Sequence, residues 1–188
     1  MKVIFNLLLC LVSFSGFSQS DFSAQVGAIQ KLSAERGIEE PVIFIGSSSI
    51  RMWKTLEQDF SDFPVLNHGF GGSEYSDIIK YKSELIEEFE PSMVIVYAGD
   101  NDIANGEEPT AIAEEAGVFV DGMRRLAHGA PVIVLSVKPS IARWELKDRY
   151  VELNGLLEKV ADQYEHVVYV DVWTPMLKRN GELKANLF

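Results

Sequence analysis

The run Val42-Ile43-Phe44-Ile45-Gly46-Ser47-Ser48-Ser49-Ile50 limits the folds open to this chain more than any other segment. A short, wholly apolar stretch rich in β-branched residues and stopped by glycine reads as a strand buried on both faces. The serines and Ile50-Arg51-Met52-Trp53 after it read as the opening of a helix, since serine is a favoured N-cap residue. A hydroxyl at such a turn sits at the carboxyl edge of a sheet, beside free backbone N–H groups and the positive end of a helix dipole. Parallel α/β proteins hold ligands at that edge, and serine hydrolases hold a nucleophile there. On this pattern alone, simple helix capping by Ser47 to Ser49 is the favoured explanation of the serines, and further features of the chain reverse that preference.

The rest of the chain alternates between two periods. Strands are expected at 42–45, 64–67, 93–98, 131–136 and 167–172. Amphipathic helical stretches lie near 74–89, 109–127 and 141–163, and Phe22 to Arg36 is helical with Phe22, Val26, Ile29 and Leu32 on one face. Strands separated by helices of that length imply βαβ crossovers and a parallel sheet. The expected fold is therefore α/β, a single three-layer α/β/α domain around a five-stranded parallel sheet.

Composition narrows the function classes. The net charge of −11, with no basic cluster, argues against nucleic-acid binding. Met1-Lys2 supplies a positive start, Val3 to Phe14 is almost wholly apolar, and Gly16 and Ser18 are small residues at a cleavage site before Gln19. Residues 1–18 thus have the layout of a secretory signal peptide, which predicts a secreted or periplasmic domain over 19–188. The apolar stretch is short for a transmembrane helix, so no stable membrane insertion is expected after its removal. Cys10, the single cysteine, falls inside the leader, and the mature domain is large enough to fold without a disulfide.

Three consecutive strands end in loops of glycines and small polar residues: Gly46-Ser47-Ser48-Ser49, Gly69-Phe70-Gly71-Gly72 and Gly99-Asp100-Asn101-Asp102. In a parallel sheet these loops open on one edge, where glycines let a ligand approach the backbone. The ordered set resembles the first three sequence blocks of the SGNH (GDSL) hydrolase superfamily. Lys138-Pro139-Ser140-Ile141-Ala142-Arg143-Trp144, with Asn154 and Asp171-Val172, resembles a bacterial secreted branch of it. The resemblance implies a flavodoxin-like SGNH fold and an esterase with no metal or organic cofactor. It makes Ser48 the nucleophile, and the N–H groups of Ser48 and Gly72 with the Asn101 amide the oxyanion-hole donors. Where the family's first block has Asp before the serine, this chain has Ser47, a departure outside the catalytic dyad.

A serine hydroxyl needs a base, which in this family is a His three residues after an Asp, beyond the last strand. No Asp-x-x-His occurs in the 188 residues. His128 at a helix end and His166 opening a strand have structural explanations, and strand alternation gives no reason to aim His68 at Ser48. The expectation is a chain truncated before that block and before a closing helix. It would be poorly active as written and would expose an apolar strip. The leading reading is a serine hydrolase of carboxylic esters, with small acyl groups on carbohydrate or lipid esters as its small-molecule substrates. The alternative is a non-catalytic binding protein of the same fold. A P-loop or dinucleotide site lacks the required spacing, and Asp100 to Gly106 lacks an EF-hand's glycine position and closing Glu. Asp100 and Asp102 read as turn residues, Trp53 and Trp144 as packing residues, and Arg51 as a solvated helix residue.

Overall fold

The apolar runs form five strands: β1 (Val42–Gly46), β2 (Val65–Gly69), β3 (Met93–Tyr97), β4 (Val132–Leu135) and β5 (Val167–Val170). The computed structural model describes residues 21–126 and 129–187. The expected signal peptide at 1–18 and His128 lie outside the described residues. All strand pairs are parallel, in the order β2-β1-β3-β4-β5. This is the doubly wound arrangement in which the order reverses between β1 and β3, the position where such sheets open a crevice. Register fixes the level of that crevice, because Gly46 pairs with Gly69 on one side and with Tyr97 on the other. The three glycine-rich loops therefore leave the sheet at the same height.

The helices are α1 (Ser23–Arg36), α2 (Ser48–Arg51), α3 (Leu56–Asp59), α4 (Tyr75–Lys80), α5 (Lys82–Leu85), α6 (Asp100–Ala104), α7 (Pro109–Leu126) and α8 (Lys147–Ala161). Strand alternation divides the core in two. Ile43, Ile45, Val94, Val96, Val132 and Val134 pack under α1, α4, α5, α7 and α8 through Val26, Ile78, Leu85, Phe119 and Leu157. Val42, Phe44, Val65, Ile95 and Tyr97 face the other way, under Ile50, Trp53, Leu56 and Phe60 of the α2–α3 segment. That second layer is narrow. It leaves Ile133 and Leu135 half-buried, and Val168 and Val170 are 52% and 37% exposed.

Four local expectations need correction. The helix after the serines is a single turn, too short for the dipole argument to carry much weight. The stretch 74–89 breaks at Tyr81, whose backbone leaves helical geometry where its ring turns into the core against Phe70. The stretch from 141 becomes α-helical only at Lys147, after a loop and one 3₁₀ turn, because residues before it are drawn over the sheet edge. Leu32 is solvent-exposed although Phe22 and Val26 are buried, since α1 contacts the body along a narrow stripe.

Gly46 at the edge is sterically obligatory. A Cβ at Gly46 would lie 2.1 Å from the Tyr97 carbonyl oxygen. Its absence lets the β1 turn close over the end of β3.

Candidate active site

Ser48 is the first residue of α2, directly after the Gly46-Ser47 turn. It is half-buried and lines a cavity of about 190 Å³ at the switch point, together with Ser49, Asp100 and Asn101. The simple capping explanation of the serines does not describe Ser47. Its hydroxyl makes no cap hydrogen bond and instead donates to Asp100 Oδ1 at 3.3 Å, fully buried between β1 and β3. The residue standing in place of the family's Asp thus joins the first loop to the third.

Asn101, 9% exposed, is held at both ends of its carboxamide. Nδ2 donates to the Ser73 carbonyl at 3.0 Å, and Oδ1 accepts from Arg143 Nη1 and Nη2, each at 3.2 Å. Gly72 is solvent-exposed, with φ +89°, and does not itself line the cavity. It is the residue before Ser73, so the Asn101–Ser73 hydrogen bond ties its loop to the site. The structure therefore brings Ser48 and Asn101 into one cavity and sets Gly72 beside it.

Asp102 does more than turn the chain. Its two carboxylate oxygens accept the backbone N–H groups of Gly99 at 3.0 Å and Tyr75 at 2.9 Å. Burial nevertheless pushes its pKa up to about 7, against those hydrogen bonds. Glu115 is also raised to about 7, by burial first and then by Glu107 and Glu74. Among the described residues Asp102, Glu107 and Glu115 bring carboxylate oxygens within 4.8 Å of one another. With Asp102 already engaged by the backbone, the raised values describe protons held within an acidic group.

Of the histidines, His68 is fully buried under the α1 side of the sheet, between the Leu85 carbonyl and the Ser33 hydroxyl at 2.9 Å. Burial lowers its pKa to about 4. His166 stands just before β5, at the opposite edge from the cavity. Neither faces Ser48, as expected. Trp53 packs on Phe44 and Phe60, Trp144 stacks on Trp173, and Arg51 is exposed.

Sequence reasoning named Lys138, Ser140 and Arg143 only as part of a family-like block and did not single out Tyr150, and it missed that these four residues close the cavity. The signal was available, because Lys138 to Arg143 follows β4, the next strand to end on the same edge. Lys138 and Arg143 give the cavity a positive lip in an acidic chain. A larger cleft of about 570 Å³, between the end of α1 and Glu88 to Glu90, is lined by Glu39, Glu40, Glu88 and Glu90 and offers no comparable chemistry.

Residues 45–188 match the model of the GDSL-like Lipase/Acylhydrolase family. The chain belongs to that family. It is 27% identical over 153 residues to the platelet-activating factor acetylhydrolase IB subunit alpha2 of Rattus norvegicus, a match covering 79% of this chain and 66% of the relative. The chain thus spans just under two thirds of that relative's length. Among solved structures it superposes on a candidate acylhydrolase from Bacteroides fragilis with a TM-score of 0.75, at 20% identity, covering 90% of this chain and 87% of the other. It also superposes on a catalytic mutant of an acetylxylan esterase from Geobacillus stearothermophilus with a TM-score of 0.59, at 14% identity, covering 73% and 78%. At such identities these structures establish that the acylhydrolase-family chain shares their fold.

Proposed function

We propose that this member of the GDSL-like acylhydrolase family cleaves small acyl groups, acetyl foremost, from alcohols through an acyl-serine at Ser48. The observation that carries the reading is the shared cavity: a free serine hydroxyl and a fixed side-chain amide meet at the switch point of the sheet. In the proposed reaction Ser48 Oγ attacks the ester carbonyl carbon and the carbonyl oxygen becomes an anion. The N–H of Ser48 and the second N–H of Asn101 Nδ2 stabilise that anion; Gly72, on the loop beside the cavity, is a third donor only through the family resemblance. The C–O bond to the alcohol breaks as the proton given up by Ser48 passes to the departing oxygen, and water then hydrolyses the acyl-serine, releasing the carboxylic acid and restoring the serine hydroxyl.

Two observations support a small acyl group. The cavity is smaller than the ~300–1,000 Å³ of sites for drug-sized ligands. The names of two similar proteins, an acetylhydrolase and an acetylxylan esterase, both specify acetyl. Family membership favours a hydrolase over a non-catalytic binding protein. Among the described residues no helix is long and apolar enough to cross a membrane, and the leader-like residues 1–18 support an extracytoplasmic location. Export would be seen as a mature protein beginning at Gln19.

The Asp-x-x-His block that the family resemblance implies has no counterpart in residues 1–188, so the expected turnover of this polypeptide is slow. The test is covalent labelling with a fluorophosphonate probe, mapped by peptide mass spectrometry. Modification is expected at Ser48 and lost in Ser48→Ala. Labelling that persists in Ser48→Ala, or none at Ser48 under forcing concentrations, would remove the assignment.

A further inference from the structure

The Asn101 carboxamide makes one contact that the reading above leaves unused. Arg143 Nη1 and Nη2 converge on Asn101 Oδ1 at 3.2 Å each, and Nη1 also donates to the Asp100 carbonyl at 2.9 Å. The Asp100 carboxylate lies 3.7 Å from the same guanidinium. A guanidinium has donors and no acceptor, so the amide atom facing it must be oxygen. The NH₂ group is thereby committed to the other end, with one N–H on the Ser73 carbonyl and the second left for the cavity.

We infer that Arg143 is the positioning residue of the oxyanion site: it fixes the rotamer of the Asn101 carboxamide and polarises it so that the remaining N–H is a stronger donor. The inference rests on the proposed role of Asn101 and goes beyond it. The polarisation follows from placing a full positive charge on the carbonyl oxygen, which draws electron density from the amide nitrogen in a poorly solvated site. A fork held on two oxygens of consecutive residues restrains rotation in a way that one ammonium cannot.

The loop is built to hold this geometry. Trp144, next to Arg143, lies parallel to Trp173, with ring centroids 6.1 Å apart and planes 9° from each other. Lys147 sits over the Trp144 ring at 5.5 Å, and Trp173 meets Tyr150 edge-on at 6.4 Å. Tyr150 in turn donates its hydroxyl to the same Asp100 carbonyl, at 3.3 Å. Lysine, two indoles and a phenol thus form a continuous line of contacts that ends at the acceptor Arg143 uses. The side chain of Arg143 is only 36% exposed.

The test uses the full chain with Arg143→Met and Arg143→Lys, alone and combined with Asn101→Ala, and has two readouts. The first needs no turnover: the two Asn101 Nδ2 protons in ¹⁵N-edited NMR spectra. In the native protein they should be well separated and slow to exchange. In Arg143→Met they should exchange at least tenfold faster, with Arg143→Lys intermediate. The second is Ser48-dependent ester hydrolysis, or the rate of fluorophosphonate labelling. Arg143→Met should lower kcat or the labelling rate at least tenfold with KM within twofold, yet cost less than twofold when Asn101 is already Ala. Added guanidinium should partly rescue an Arg143→Ala variant. Unchanged Asn101 side-chain exchange in Arg143→Met overturns the inference whatever the enzyme does, as does an undiminished loss in the Asn101→Ala background. Absence of any Ser48-dependent reaction in all variants fails the hydrolase reading instead, and the NMR readout still decides whether Arg143 positions the amide.

Discussion

The side-chain amide of Asn101 spans from the end of β3 to the carbonyl of Ser73 at 3.0 Å, joining two loops 28 residues apart in sequence. Asn101→Ala removes both this tie and the amide that the proposed reaction uses as a donor. Loss of one oxyanion donor typically lowers kcat by about 10²–10³-fold, so Ser48-dependent hydrolysis of p-nitrophenyl acetate should fall by that order with little change in KM. Asn101→Asp, of the same shape, should be at least as damaging, because it sets an acceptor against both the Ser73 carbonyl and the developing anion. Where turnover is too slow to follow, the rate of fluorophosphonate labelling reports the same loss. A variant within twofold of the native rate would exclude Asn101 from the reaction.

Two glycine substitutions should move stability in opposite directions. At Gly46 an added methyl would lie 2.1 Å from backbone oxygen, which can yield only if β1 and β3 separate. Gly46→Ala should cost about 3 kcal/mol or more, lowering the urea midpoint and disordering the Ser48 turn with it. Gly155 lies exposed within α8 with no atom near its Cβ position. Gly155→Ala should gain up to about 1 kcal/mol by helix propensity. Equal effects at the two sites would show that the β1–β3 contact is not tight.

His68 sets an acid limit. Its pKa is about 4 in the folded chain against an ordinary 6.5, because burial disfavours the charged ring. Between those values the unfolded chain takes up a proton that the folded one refuses. The stabilisation is therefore complete above pH 6.5 and is lost as pH falls toward 4, by an amount on the order of 3 kcal/mol. NMR titration should show His68 ring resonances at neutral-imidazole positions down to about pH 5, and His68→Gln should flatten the stability loss over that interval. A midpoint near 6.5 would contradict the burial.

Much of this arrangement was legible in the sequence, for identifiable reasons. β1 and β3 are unbroken apolar runs closed by Gly46 and Gly99, so their type and ends follow from pattern alone. The meeting of Ser48 with Asn101 follows from parallel topology, since both residues begin the loops after those strands. Arg143 was visible only as part of a family-like block and its role did not emerge, because a long side chain on a loop has no periodicity and its target depends on how α8 and the Trp144–Trp173 stack hold the backbone. Asp102 reads locally as a turn residue, which is true of its bond to Gly99. Its bond to Tyr75 is tertiary and carries no local signature.

Asp102 should give a pH response opposite in sign to that of His68. Its folded pKa is raised from 3.8 to about 7, chiefly by burial. From about pH 4 to 7 the folded chain retains a proton that the unfolded chain releases, so this contribution to stability declines as pH rises and is fully lost above 7. Asn at this position does not titrate. The stability of the native protein relative to Asp102→Asn, measured by urea unfolding at several pH values, should therefore shrink between pH 5 and 8. A difference that grows with pH would place the carboxylate in a favourable charged state.

The exposed side of β4 and β5 is the surface most open to self-association. Among the described residues β5 is the last strand of the sheet and pairs on one side only, and it presents Val168 and Val170 to solvent beside the half-buried Ile133 and Leu135. An edge strand with an apolar face is a template for association. Val168→Thr with Val170→Lys keeps a β-branched residue at one position and puts an edge-blocking charge at the other. Because both valines are already substantially exposed, the double variant should change the urea midpoint little. It should also suppress concentration-dependent self-association in light scattering and raise the recovery of monomer on size exclusion. Association that is undiminished in the variant would move the sticky surface elsewhere on the molecule.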